Sequence, residues 1–417
     1  MQIDSGNYTT GTTGNPNMTI FGGGTLAVQN SGMFQHGGNN DIRGSLVVET
    51  SGTFAPNRLR TSGSNDEITV QSGGTLSTAG IQILAAQAGH AMTYLVTNTG
   101  SSVSAQRMIF GGRTAGSGGT ATMTIDDGAH VGVTNDTWFR TAASSLTVNG
   151  ATFSSGTLIN DPSVTATINI SNIDAATPAL TVGTNNGDST FDGLIQDAAG
   201  GAGSLKKTGT GTLALTNANT YTGGTTIDGG TLLANNSAGS ATGTGGVTVS
   251  SGAVFGGTGS SAGTTTVNSG GTVAPGASVG QLTVDEAVFA SGSSLSIDLA
   301  GSGGVPGTDF DQLIVLGGVD LVGDPILSVL SSGGFLATVG DEFPILTWQL
   351  GLSGTFDLLV DPFFLANDIS FQSIITNAGG AGDLTLRVVP EPVSLALLGL
   401  GGLAVLAQRR HKGRFQS

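Results

Sequence analysis

The sequence contains no cysteine, few charged residues and few aromatic residues. Of its 417 residues, 10% are charged and 5% are aromatic. Without cysteine the chain cannot form disulfides, use a thiol nucleophile or bind zinc through thiolates. Only 11 residues are proline, and the 71 glycines follow no Gly-X-Y period, which excludes a collagen triple helix. The 38% hydrophobic content, spread over short Val, Leu and Ile clusters, argues against a disordered chain.

Charge is distributed unevenly between the body of the chain and its end. Residues 1–408 contain 28 acidic and nine basic residues, a net charge of −19, whereas the last nine residues carry four basic groups. An acidic body repels the phosphates of nucleic acids, so no nucleic-acid partner is expected. The basic end requires a separate explanation.

A short pattern recurs along the chain: an apolar residue, a threonine and a second apolar residue, followed by a turn rich in Gly, Ser or Asn. Most successive copies are about twenty residues apart, a spacing typical of repeat architectures. The second apolar positions are Ile20, Val48, Val70, Ile125, Val148, Ile227, Val249, Val267 and Val284.

Alternation of apolar and polar residues predicts a strand with one face buried. Such short strands cannot bury that face alone, but stacked copies would form a continuous core. We therefore predict an all-β fold, a right-handed parallel β-helix (β-solenoid). A β-sandwich with frequent turns is the alternative that periodicity leaves open.

The middle residue of the pattern is Thr19, Thr69, Thr124, Thr147, Thr226, Thr248, Thr266 or Thr283, with Val47 as the exception. If the coils stack in register, these hydroxyls form a ladder on an outer face. Threonine favours such positions in any strand, but a regular array is also typical of binding to an ordered surface such as ice or a crystalline polysaccharide.

Residues 204–234 read SLKKTGTGTLALTNANTYTGGTTIDGGTLLA. With Lys207, the GTGTL run at 209–213, the NTYTGGT run at 219–225 and the GTL run at 230–232, this segment resembles the autotransporter-associated β-strand repeat. The resemblance implies an exported, surface-displayed parallel β-helix and no particular enzyme activity.

The apolar runs lengthen after residue 310, for example LIVLGGVDLV from Leu313 and FDLLVDPFFL from Phe356. Runs that are apolar on both faces predict buried strands, here a C-terminal β cap over the open end of the solenoid. The predicted domains are 1–203 (solenoid repeats), 204–300 (autotransporter-type repeats), 301–389 (cap) and 390–417 (tail).

The tail contains Pro390, Glu391 and Pro392, then fifteen uncharged residues at 393–407, and ends in a basic cluster with Arg409, Arg410 and Lys412. Fifteen helical residues rise about 22 Å, less than the bilayer core, but the flanking basic residues favour one short transmembrane helix with its basic end in the cytoplasm.

This order of Pro-Glu-Pro, short apolar segment and basic stop resembles the PEP-CTERM sorting signal. The resemblance implies anchoring in the inner membrane and recognition by an exosortase, which removes the tail and passes the protein to the cell surface or matrix. An exported protein also needs a signal peptide. Met1–Asp4 lead directly into repeat-like sequence, so we expect the natural protein to extend upstream.

The chain offers few candidates for catalysis or metal binding. The acidic pairs Asp66-Glu67, Asp126-Asp127, Asp285-Glu286 and Asp341-Glu342 consist of neighbours that point to opposite faces of a strand. Asp309 and Asp311 share a face but lie in a segment that resembles passenger sequence. None of His36, His90, His130 and His411 has a partner at zinc-ligand spacing.

These observations predict an exported structural or adhesive β-solenoid at the cell surface or in the extracellular matrix, without enzymatic activity, cofactor or metal. A surface polysaccharide is a further expected partner. The alternative is a polysaccharide-degrading or carbohydrate-binding protein on the same fold.

Overall fold

The computed structural model describes residues 2–390 except 4–6, 11–17, 21–24, 29–32, 113, 115–117 and 163. Within these residues the chain forms 38 strands and one helix of four residues. The first strands are β1 (Gln2–Ile3), β2 (Asn7–Thr10), β3 (Met18–Ile20), β4 (Thr25–Val28), β5 (Met33–Ile42), β6 (Ser45–Val48), β7 (Thr53–Thr61), β8 (Asp66–Val70), β9 (Thr75–Ser77), β10 (Ile81–Leu84), β11 (Ala91–Val96), β12 (Ser102–Phe110) and β13 (Thr120–Asp126). The middle strands are β14 (His130–Phe139), β15 (Ser145–Asn149), β16 (Thr152–Asn160), β17 (Thr167–Ser171), β18 (Leu180–Val182), β19 (Ser189–Phe191), β20 (Leu194–Asp197), β21 (Leu205–Lys207), β22 (Thr212–Leu215), β23 (Thr225–Ile227), β24 (Gly230–Ala234), β25 (Val247–Val249) and β26 (Ala253–Gly257). The last elements are β27 (Ser260–Val267), β28 (Thr272–Pro275), β29 (Gln281–Phe289), β30 (Ser294–Leu299), β31 (Gln312–Val315), β32 (Gly318–Leu321), β33 (Ile326–Ser331), β34 (Glu342–Trp348), β35 (Gly351–Ser353), β36 (Asp357–Val360), α1 (Pro362–Leu365), β37 (Ile369–Thr376) and β38 (Gly382–Pro390).

The strands form three long sheets. Sheet A consists of β1, β4, β6, β8, β11, β13, β15, β17 and β20, sheet C of β19, β22, β24, β26, β28, β30, β33 and β36, and sheet B of the remaining strands. Sheets A and C are parallel throughout, and sheet B is parallel up to its last strands. The architecture is therefore the predicted all-β parallel solenoid, and parallel pairing continues across residues 203 and 300. The handedness stays a prediction.

The core consists of columns of apolar side chains, one from each coil. In sheet A, Leu46 lies beside Ile68, Ile68 beside Tyr94, and Tyr94 beside Met123. All four side chains are buried. Because side chains alternate along a strand, the register that stacks these residues inside turns their neighbours outward.

The predicted register is confirmed at every repeat position whose side chain is described. Val48, Val70, Ile125, Val148, Ile227, Val249, Val267 and Val284 are at most 1% exposed. The threonines that precede them face outward but are half-buried rather than exposed, because the coils on either side cover them. Thr19 and Ile20 lie outside the described side chains.

The threonines do not form the single ladder that the sequence suggested. Thr124 and Thr147 are neighbours in sheet A, where Leu95 precedes them and Asn169 follows them. A second short column joins Thr226, Thr248 and Thr266 in sheet B. The ladder divides because the repeat pattern moves from one sheet to another along the chain.

Sheet A ends at β20. Beyond this strand, the side-chain amide of Asn219 hydrogen-bonds to the neighbouring coils. Thr220 donates its backbone N–H to the carbonyl oxygen of Ile195 (2.9 Å), while the N–H of Ile195 donates to Oδ1 of Asn219 (2.7 Å). The Nδ2 of Asn219 in turn donates to the carbonyl oxygen of Ala241 in the next coil (2.6 Å). Asn219 therefore links three successive coils where no regular strand is present.

The parallel arrangement changes at the C-terminal end. β38 pairs antiparallel with both β34 and β37, so a hairpin lies on the last coils of sheet B. Within the described residues, no helix is long and apolar enough to cross a membrane. The transmembrane helix predicted at residues 393–407 lies outside those residues.

Part of the predicted burial near this end is wrong. Leu358 and Leu359 in β36 are 37% and 58% exposed, and Leu316 is 51% exposed. β36 is the last strand of sheet C and pairs on one side only within the described part of the chain. Leu316 lies instead in the bend between β31 and β32. An apolar run therefore does not ensure burial at the end of the stack or in a bend between strands.

We predict that replacing Ile227 and Thr226 with Ala, one at a time, distinguishes the two faces of β23. Ile227→Ala should lower the free energy of unfolding by about 2–5 kcal/mol, because it leaves a cavity between the side chains of adjacent coils. Thr226→Ala should change it by less than about 0.5 kcal/mol. Urea unfolding followed by circular dichroism measures both, and equal losses would contradict the register.

Candidate functional site

A groove lies along the outer face of sheet C. It consists of two adjoining cavities of about 780 and 360 Å³, and Thr212 and Leu233 line both. Asn160 and Asp192 line the larger cavity, and Asp298 and Asp311 line the smaller one. We call this feature the sheet C groove.

The floor of the groove is a column of small and aliphatic side chains. Ala214 lies between Thr190 and Leu233, and Gly256 lies between Leu233 and Ala274. These residues share one face of successive strands, so they are spaced about 4.8 Å apart along the solenoid. The repeat thus produces a shallow floor that crosses many coils.

Two aspartates meet in the smaller cavity. The carboxylate of Asp311, 2% exposed, accepts hydrogen bonds from the backbone N–H groups of Gly280 (2.7 Å) and Asp298 (2.8 Å). Burial raises the pKa of Asp311 to about 8, and the nearby charge of Asp298 acts in the same direction. Burial also raises the pKa of Asp298, whose carboxylate has no hydrogen-bond or ion-pair partner in the described part of the chain.

Further carboxylates line the larger cavity. The Nδ2 of Asn160 donates to the carboxylate of Asp192, and the backbone N–H of Asp192 donates to Oδ1 of Asn160 (3.0 Å). Partial burial raises the pKa of Asp192. Asp188 accepts a hydrogen bond from the backbone N–H of Thr212 (2.7 Å). None of the described residues that line either cavity is Lys, Arg or His.

The groove has the chemistry of a binding site for hydroxyl-bearing or cationic ligands. Asp298 and Asp311 also resemble an acid–base pair, because at neutral pH Asp311 retains its proton most of the time. Sequence reasoning missed this pair because the 301–308 loop separates the two residues, which come together only when the strands are placed.

The acidic pairs singled out in the sequence do not converge. Asp66 is buried and Glu67 is exposed, as strand alternation predicts. Several members of the other pairs have a partner on a neighbouring strand or loop. Asp285 accepts a hydrogen bond from the N–H of Gly263, Glu286 accepts one from the hydroxyl of Thr264, and Glu342 forms an ion pair with Arg387. Asp127 lies in a turn, Asp309 accepts from the N–H of Val305 and Asp341 from that of Thr338. Asp126 differs from these, because its Oδ1 is buried without a hydrogen-bond partner in the described residues.

The described histidines make single local contacts. His90 Nδ1 lies 3.0 Å from the carbonyl oxygen of Ser62, whose hydroxyl donates to Asp41. A Ser–His nucleophile pair would instead join the hydroxyl to the imidazole. His130 Nδ1 lies 2.8 Å from the Thr152 hydroxyl, and burial lowers the pKa of His130. The described residues contain no group of three or more His, Asp or Glu that could hold a metal. The side chains of His36 and His411 are not among the described ones.

Lys207 is a buried cation in the segment that resembles the autotransporter repeat. Its ammonium group donates to the carbonyl oxygens of Thr208 (2.7 Å), Gly209 (3.3 Å) and Gly229 (3.1 Å), the last in the next coil. Burial lowers the pKa of Lys207 to about 8. Gly209 has φ +68°, and a Cβ there would lie 2.1 Å from the carbonyl oxygen of Gly183. Lys207 and Gly209 therefore act as structural residues of the corner.

The predicted sorting residues lie at the edge of the described chain or beyond it. Pro390 is the last residue of β38 and pairs with Ile369. Glu391, Pro392, Arg409, Arg410 and Lys412 lie outside the described residues, and their roles stay predictions.

We predict that Asp311 makes the stability of the fold pH-dependent. Its pKa rises from 3.8 to about 8 on folding, so between these values the folded state holds a proton that the unfolded state releases, and stability falls as pH rises. Asp311→Asn should flatten this decline. The urea midpoint measured between about pH 5 and about pH 8 tests this. The control Asp357→Asn, in an exposed residue of β36, should keep the wild-type slope, and parallel profiles of wild type and Asp311→Asn would contradict the assignment.

Residues 205–234 match the passenger-associated-transport-repeat family, which confirms the resemblance identified in this segment. The match covers β21 to β24, which contribute to sheets B and C. It includes Lys207 and the corner that this residue stabilises.

Two curated relatives are similar over longer stretches. The chain is 30% identical over 221 residues to "Adhesin BmaC autotransporter" of Brucella suis biovar 1 (strain 1330), which covers 50% of this chain and 6% of that protein. It is 31% identical over 169 residues to "Extracellular serine protease" of Serratia marcescens, covering 40% of this chain and 16% of that protein. The alignments thus span a small part of either relative. The expectation that the chain lacks enzymatic activity is corrected by the second relative, which is named as a protease.

Proposed function

We propose that this chain is an exported β-solenoid that serves adhesion or scaffolding at the cell surface or in the extracellular matrix. The observation that carries the proposal is the stack of parallel coils that includes, at residues 205–234, a repeat typical of transported passengers. The relative named as an adhesin supports the adhesive role. A long stack with polar side chains outside provides a large surface for contacts beyond the cell.

The Asp298–Asp311 pair favours a second candidate function, hydrolysis of a polysaccharide bound in the sheet C groove. Glycosidases use two carboxyl groups, one of them protonated by a raised pKa. Burial provides such a group in Asp311. Release of shorter oligosaccharides from a bound polysaccharide would distinguish cleavage from binding.

The route of export is part of the proposal. We infer that the tail holds the chain in the inner membrane until an exosortase recognises Pro390, Glu391 and Pro392 and removes the tail. Arg409, Arg410 and Lys412 would keep the end of the tail in the cytoplasm. The sequence of the tail supports this route.

Surface display can be tested with an epitope inserted between Gly333 and Gly334 in the organism that encodes the chain. Both glycines are exposed and have open space around them, so an insertion should leave the coils intact. Antibody should label intact cells or their matrix. The same epitope on a cytoplasmic protein is the control, and labelling only after lysis would contradict the proposal.

Sorting can be tested by replacing Pro390, Glu391 and Pro392 together with Ala. The solenoid should still fold, but the tail should be retained, so the mass of the membrane-bound protein should exceed that of the wild-type mature form. Arg409→Ser with Arg410→Ser should instead weaken retention in the membrane. Unchanged mass and release in the triple variant would rule out exosortase sorting through this motif.

A further inference from the structure

The sheet C groove carries carboxylates at both of its ends. Asp192 lines one cavity and Asp298 the other, and neither carboxylate is paired with a cation in the described residues. With no described Lys, Arg or His in the lining, the groove repels anionic polymers and attracts a cationic ligand.

The spacing of these carboxylates points to a polymer rather than a small molecule. Asp192 directly follows β19 and Asp298 lies in β30, five strands further along sheet C. At about 4.8 Å for each strand, the two coils are about 24 Å apart. A ligand that contacts both ends must be an extended chain that crosses the strands.

The backbone of the floor is already paired. β22 hydrogen-bonds to β19 and β24, and β24 to β22 and β26. An extended peptide therefore finds no free strand edge to which it could add along the groove. Between the carboxylates at its two ends, the groove offers the hydroxyls of Thr212 and Thr231 and the aliphatic surfaces of Leu233 and Val254.

We propose that the sheet C groove binds a linear glycan whose sugars carry primary amino groups. Its ammonium groups would pair with Asp192 and Asp298, its hydroxyls would hydrogen-bond to the threonines, and its C–H faces would pack on Leu233 and Val254. This inference names a class of ligand for the proposed adhesive function. Its biological role rests on that proposed function, because the groove meets an external glycan only if the protein is exported.

Calorimetric titration of the purified full chain with a β-1,4-linked glucosamine hexamer tests the proposal in mildly acidic buffer. The hexamer should bind, and its affinity should fall between low and physiological ionic strength. The fully N-acetylated hexamer, which lacks the charges, should bind at least about ten-fold more weakly. Hexalysine is the probe for a basic peptide.

Charge-removing variants identify the binding surface. Asp192→Asn and Asp298→Asn should each weaken hexamer binding about five-fold, the effect of one partly exposed ion pair. Asp357→Asn removes the same charge from sheet C outside both cavities and should bind as the wild type does. Thermal unfolding checks that every variant is folded.

Three results would overturn the inference: no binding of the hexamer at low ionic strength, equal weakening by Asp357→Asn and Asp298→Asn, or tighter binding of hexalysine than of the hexamer. The last result would assign the groove to basic peptides. The binding experiment uses purified protein, so its result does not depend on export. Absence of hexamer binding would therefore not contradict surface display, and absence of surface labelling would not invalidate the binding measurement.

Discussion

Each coil is held by hydrogen bonds to the coil before it and the coil after it, and this parallel pairing constrains everything else in the structure. Because the strands stay in register, a residue type that recurs once per coil becomes a column. Apolar residues such as Leu46, Ile68 and Tyr94 form the core in this way. The same constraint places Ala214 and Leu233 side by side on the outer face, so core and groove have a common origin.

The alternation of apolar and polar residues, together with the spacing of about twenty residues between repeats, predicted the solenoid and the buried repeat positions, although a β-sandwich stayed open as an alternative. It reports which face of a strand is buried, but not which strands become neighbours. Partners are 18 residues apart between Val247 and Thr265 and 33 apart between Leu313 and Leu346. A constant period therefore could not predict how the threonine columns divide.

The candidate site was harder to predict for the same reason. Asp298 lies in β30 and Asp311 lies just before β31. Their contact depends on the path of the 301–308 loop, for which the sequence has no periodic signal. Burial then changes their chemistry, since desolvation raises the pKa of a carboxyl group. The exposure of Leu358 and Leu359 is similarly a property of the end of the stack, which local composition does not reveal.

The direction of the inter-coil hydrogen bonds has a mechanical consequence. In a parallel solenoid these bonds run along the long axis, so a pull between the two ends acts on them directly and can separate one coil at a time. Each released coil of about twenty residues would add roughly 70 Å of extended chain. Where Lys207 and Asn219 link neighbouring coils through carbonyl oxygens of Gly229 and Ala241, separation would require additional bonds to break. A protein built in this way would lengthen in steps under tension.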